Sequence, residues 1–148
     1  MGLDMYLVGH HYNTRYVDDV PRPMLDDKYH IESMTIDLGY WRKHADLHGY
    51  IVDTFAKGVD NCMEIELSEE SLDKIILAIQ NDNLKKDHSG FFFGNSTDNG
   101  YYNEKEKERA ISIFQKAKTF LQEGAKMLED SNLYMNPRYV SYRAFFFF

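Results

Sequence analysis

Cysteine is nearly absent from this chain: Cys62 is the single one in 148 residues. One thiol excludes an internal disulfide and any cysteine-rich zinc site, and it fits a reducing compartment. Cys62 stands just before the alternating stretch MEIEL and reads as a small buried residue rather than a nucleophile. No apolar run approaches the roughly 20 residues needed to span a bilayer. The first residues, MGLDMYL, lack the basic segment of a secretion signal, and Tyr6 stands where N-myristoylation wants Ser or Thr. Positive charge is also short, with 17 Lys and Arg against 24 Asp and Glu and a formal charge of -7. That balance excludes a general nucleic-acid binder, which needs a basic stripe to meet phosphates. No G-x-S-x-G nucleophile elbow occurs. The expectation is one domain over residues 1–148, cytosolic, with no membrane partner and no metal or other cofactor.

What the chain does have is rings. It carries 11 Tyr and 10 Phe, and 43% of its residues are hydrophobic, enough for a packed core with aromatic residues left over for contact surfaces. Partial alternation predicts a first strand over residues 3–11, followed by a proline- and aspartate-bearing loop. A second strand is expected across HIESMTIDLG, ended by Gly39. Tyr40, His44, Leu47, His48, Ile51, Val52 and Phe55 recur at spacings of three and four, which predicts a helix over residues 40–56. CMEIEL alternates as a half-buried strand, with Met63, Ile65 and Leu67 on one side. Ser68 then caps a helix that reaches about Asn81, with Glu69 and Glu70 in its first turn. A short strand is expected over residues 91–93, a long helix over 103–129, and a final extended segment that Pro137 marks as an edge strand. The order predicts an α+β fold: a small mixed or antiparallel sheet with about three helices packed on it.

Three places could carry chemistry. Tyr40, Trp41, Arg42 and Lys43 would open the predicted helix, where free N–H groups, a planar guanidinium and a stacking ring suit an anionic, nucleotide-like ligand. The bland alternative puts Trp41 in the core and pairs Arg42 with an acid. His44 and His48 lie four apart, a spacing that binds zinc when a third ligand joins, but no glutamate follows the first histidine. The segment SGFFFG offers the Ser89 hydroxyl and Gly90 N–H, or else is a buried strand. Asp4, among apolar neighbours, would clamp Arg42 or Lys43, or serve as an acid or base. The terminal rings Phe145, Phe146, Phe147 and Phe148 would finish a sheet, or dock on a partner or a second copy.

The segments MGLDMYL, GYWRKHADLH, GVDNC and SGFFFG, in this order, resemble a family of small proteins encoded by tailed bacteriophages and prophages. The resemblance covers residues 1–94 and leaves out the last dozen; its pattern includes Trp41, Arg42, Lys43 and His48, but not His44. That family has no established activity. The resemblance implies action in the cytoplasm of a host bacterium, in a class of proteins that often counter host defence. The expected function is therefore an accessory protein binding an anionic small molecule or a host bacterial protein. Tyr40 and Trp41 would stack, Arg42 and Lys43 neutralise charge, and His48, Ser89 and Gly90 hydrogen-bond. The alternative is a small hydrolase for a phosphorylated or nucleotide substrate, with His48 as general base oriented by Asp4. Self-association through residues 145–148 is a further expectation.

Overall fold

Along the chain run β1 (Gly2–Tyr12), β2 (Met24–Leu25), β3 (Tyr29–His30), β4 (Ser33–Arg42), α1 (Ala45–Phe55), β5 (Ile65–Leu67), α2 (Glu69–Gln80), α3 (Glu104–Glu123) and β6 (Arg138–Phe147). They are seen in a computed structural model that describes residues 2–12, 24–26, 28–84, 103–124 and 138–147. The expected strand over 91–93 lies outside these residues.

β1 supplies the frame because it alternates. Leu3, Met5, Leu7 and His11 are buried on one side, while Asp4, Tyr6, His10 and Tyr12 lie on the other. It pairs antiparallel with β4 on one flank and β6 on the other, and β5 joins beyond β6, giving the order β4-β1-β6-β5. This is the expected α+β fold, with every pairing antiparallel. The core forms where Leu3, Met5, Leu7, Val140 and Tyr142 meet Ile75, Ile79, Phe114 and Phe120 of the helices. β2 and β3 form a separate two-stranded pair.

Caps fix the helix starts. The Ser68 hydroxyl accepts from Ser71 N (3.1 Å) before α2, and the Asn103 side chain accepts from Glu106 N (3.0 Å) before α3. Gly124, at φ 75°, stops α3 at Glu123, short of the expected residue 129.

Three expectations need correction. β4 does not end at Gly39 but runs on to Arg42, and α1 begins at Ala45, so Tyr40, Trp41 and Arg42 are strand residues. β6 is central rather than an edge strand, because β1 and β5 flank it. Met63 precedes β5 and is 67% exposed, so it does not share the inward side of Leu67.

Gly39 lies inside β4 because α3 comes so close: a Cβ there would stand 2.4 Å from Cγ2 of Ile113. Gly39→Ala is expected to destabilise the fold by about 1–3 kcal/mol. The added cost should shrink in an Ile113→Ala background, where the clashing methyl is gone. Urea denaturation of the four proteins of that double-mutant cycle checks it.

Candidate binding surface

The β1 register decides which side chains share the side of the sheet away from the helices. Asp4 lies between Arg42 of β4 and Phe145 of β6, and Tyr6 lies between Tyr40 and Arg143. These six residues form two adjacent rows across three strands. The Tyr40 hydroxyl donates to Oδ1 of Asp4. That hydrogen bond, then burial and the Asp4 charge, raise the Tyr40 phenol above its ordinary pKa, so it stays a donor. Tyr6 meets Tyr40 with ring centroids 5.3 Å apart and Phe145 at 5.7 Å, the latter edge to face. The Arg143 guanidinium sits 4.7 Å from the Phe145 ring centroid. Tyr6, Tyr40 and Phe145 keep 36–42% of their surface exposed. Among the described residues, neither Arg42 nor Arg143 lies within 4 Å of a carboxylate oxygen.

A second cluster follows further along the same face. His10 stacks on Tyr139 (centroids 4.3 Å), and its Nε2 lies 3.0 Å from the Ser141 hydroxyl and 3.8 Å from Oε1 of Glu64. Burial, then the Glu64 charge and hydrogen bond, raise the Tyr139 phenol. Serine, histidine and acid are assembled here, yet no nucleophile results. Both partners approach the same ring nitrogen, so the acid does not orient the histidine from behind, and Ser141 is only 1% exposed. Sequence reading missed Tyr6, Tyr139, Ser141 and Arg143. The alternation of SYRAF was a signal for the outward side of β6, but only the pairing with β1 sets it beside Tyr6.

The described members of the expected site do not share one face of the sheet. Trp41 points to the opposite side of β4 from its neighbours Tyr40 and Arg42: it is 2% exposed and stacks on Phe114 with centroids 5.2 Å apart. Lys43 is a turn residue at φ 57° whose backbone N–H donates to Leu3 O. Ser89 and Gly90 lie outside the described residues. His48 is 1% exposed. Its Nε2 stands 3.0 Å from Oδ2 of Asp60 and its Nδ1 2.5 Å from the Tyr142 hydroxyl. Since a carboxylate only accepts, Nε2 carries the hydrogen, and in the neutral imidazole Nδ1 then accepts from Tyr142. Burial raises the Tyr142 phenol well above its ordinary value, which keeps its hydrogen available to donate. Asp60, not Asp4, therefore orients His48, and Asp4 lies on the other face of the sheet. A hydrolase built on the His48–Asp4 pair has no geometry here.

The His44 and His48 pair is likewise engaged elsewhere, since His44 Nδ1 accepts from Leu47 N as the N-cap of α1. Among the described residues, no group of three or more His, Cys, Asp or Glu side chains could hold a metal ion. No helix among them is long and apolar enough to cross a membrane. A cleft of about 410 Å³ lies on the helical side, lined by Tyr50, Lys74, Leu77, Asn81 and Asp82, and contains none of the expected site residues. Comparison with family models, curated proteins and solved structures finds no match.

Burial, then the charge of Arg109, lower the His44 pKa from 6.5 to about 4. The unfolded chain therefore binds a proton below pH 6.5 that the folded chain refuses until about pH 4. Stability from this group is fully present above pH 6.5 and falls as pH drops toward 4, by on the order of 3 kcal/mol. Urea midpoints of wild type and His44→Asn, which keeps a cap without titrating, should converge as pH falls through that window; parallel curves would contradict this assignment.

Proposed function

We propose that this chain is a binding protein whose contact surface is the face of its sheet opposite the described helices, and that its partner is a protein presenting carboxylates. The carrying observation is the patch of Tyr6, Tyr40 and Phe145 flanked by Arg42 and Arg143, two guanidiniums without a carboxylate of their own among the described residues. Tyr, Phe and Arg are the residue types enriched where protein interfaces bury most energy, because they offer large area with few rotatable bonds. A guanidinium fork left without an internal acid is matched by a carboxylate from outside.

Among the described residues this face is a run of adjacent strand side chains rather than a concavity, and small-molecule sites are concave. That favours a protein over the anionic small molecule among the expected partners. Asp4, Asp37 and Glu66 share the face with the two arginines, which disfavours a phosphate backbone. The resemblance of GYWRKHADLH and its companion segments supports a phage-encoded accessory role, with a host bacterial protein as partner and the host cytoplasm as the setting. Interference with host defence is part of that reading.

The test pairs capture with side-chain footprinting. Tagged chain is incubated with bacterial extract, the retained protein is identified, and the complex is reconstituted and exposed to hydroxyl radicals. Tyr6, Tyr40 and Phe145 should lose several-fold reactivity in the complex, while Tyr50 on the helical side should not. Arg42→Glu with Arg143→Glu should weaken capture of the same protein at least tenfold, about 1.4 kcal/mol, without changing the melting temperature. Undiminished capture by the double variant, or protection confined to the helices, would refute the proposal. Stabilisation by a nucleotide panel that the same double variant abolishes would shift the reading to a small anionic ligand.

A further inference from the structure

Among the described residues the sheet has two outer strands, β4 and β5. β5 is three residues long, whereas β4 is ten, so β4 is the edge at which another strand would add. Its hydrogen-bonding phase is readable. Lys43 N donates to Leu3 O (2.9 Å), and Leu3 stands opposite Lys43 by continuation of the Asp4–Arg42 register. In an antiparallel ladder bonded pairs alternate, so Trp41 and Gly39 turn their N–H and C=O to β1. Tyr40 and Arg42 turn theirs outward. The register shift between Leu7 and Val8 makes Leu38 an extra residue and confines the regular edge next to α1 to residues 39–42.

At the centre of that stretch the outward carbonyl is occupied. Nη2 of Arg109, from α3, donates to Tyr40 O. Its Nη1 donates to Oε2 of Glu106, one turn earlier, at 3.2 Å, and the guanidinium lies 5.9 Å from the Trp41 ring centroid. α3 is already fixed to the sheet by Phe114 on Trp41 and by Ile113 against Gly39. The Arg109 contact lies outside that apolar seam. It sets a charged, branched group where an incoming strand would bring its N–H.

We propose that Arg109 is an edge guard that keeps β4 from pairing with β4 of a second copy. The second copy is the occupant because the edge is self-complementary. Tyr40 presents one donor and one acceptor outward, and two antiparallel copies about a two-fold axis exchange both, as bonded residues of an antiparallel pair do. With the guard in place, association is directed away from the edge and the ring-bearing face stays open.

Sedimentation velocity of the full chain across a concentration series tests this. Arg109→Met keeps an apolar stem over Trp41 but removes the donors. It should self-associate at least tenfold more tightly than wild type. Adding Tyr40→Pro, which deletes the outward N–H, should return the mass to the wild-type value. Arg109→Met that keeps its circular dichroism and matches wild type at every concentration overturns the proposal, as does association that Tyr40→Pro leaves intact. If Arg109→Met loses its fold, Glu106→Gln takes its place, since it loosens the guanidinium without touching β4. Association intermediate between wild type and the unguarded expectation supports the guard, and wild-type behaviour overturns it.

Discussion

At Gly9 an added methyl would stand 2.7 Å from the Phe120 ring, and at Gly39 one would stand 2.4 Å from Ile113. α3 can lie that close only because two neighbouring strands are stripped of side chains where it crosses them. The seam it makes continues through Phe114, which stacks on Trp41. Once α3 is seated, the parity of β1 and β4 is fixed, because slipping either strand by one residue would turn its buried set outward. Burial of Trp41 therefore forces Tyr40 and Arg42 to the other face. The exposed patch is the reverse side of the core, and its composition is set by what the core cannot take.

His48 shows the same constraint from inside. Buried polar groups are costly unless paired, and here one imidazole satisfies a fully buried phenol on one nitrogen and a partly exposed carboxylate on the other. The chain Tyr142–His48–Asp60 ties β6 to α1 and to the segment before β5. Phe146 closes over it, edge to face with the His48 ring at 5.5 Å. The tail thus divides its rings: Phe146 turns to the core, and Phe145 stays on the open face.

Elements governed by local chemistry were legible in the sequence. The alternation of LDMYLV, the Ser68 cap with its acidic first turn, and the Asn103 start of the long helix all appear where residue spacing puts them. The start of α1 was not legible, for a physical reason. Tyr40, His44, Leu47 and His48 satisfy helical spacing, while the strand period through residues 36–42 is broken by the extra residue at Leu38. Both Leu38 and Trp41 are buried, three apart, which imitates a helix. The place of β6 was hidden differently. Its partners on β1 are 127 to 145 positions away, and Pro137 precedes β6 rather than interrupting it. Two of the five patch residues, Tyr40 and Arg42, lay within the segment that sequence reading marked, and Phe145 lay among the marked terminal rings, but only the pairing of β1 with both β4 and β6 sets them beside Tyr6 and Arg143.

Tyr40 joins these levels in one residue. Its hydroxyl binds Asp4 across the strand pair, its ring meets Tyr6, and its carbonyl takes Arg109 at the edge. Tyr6 and Tyr40 face each other as a non-hydrogen-bonded pair, the position where cross-strand side chains approach most closely. The same phase that brings their rings together sends the Tyr40 carbonyl outward. A ring platform on β4 thus carries an open edge with it as a geometric consequence. Blunting that edge while keeping the ring platform takes a feature outside the β1–β4 pairing, and the Arg109 guanidinium, reaching over from the helix layer, is one such group.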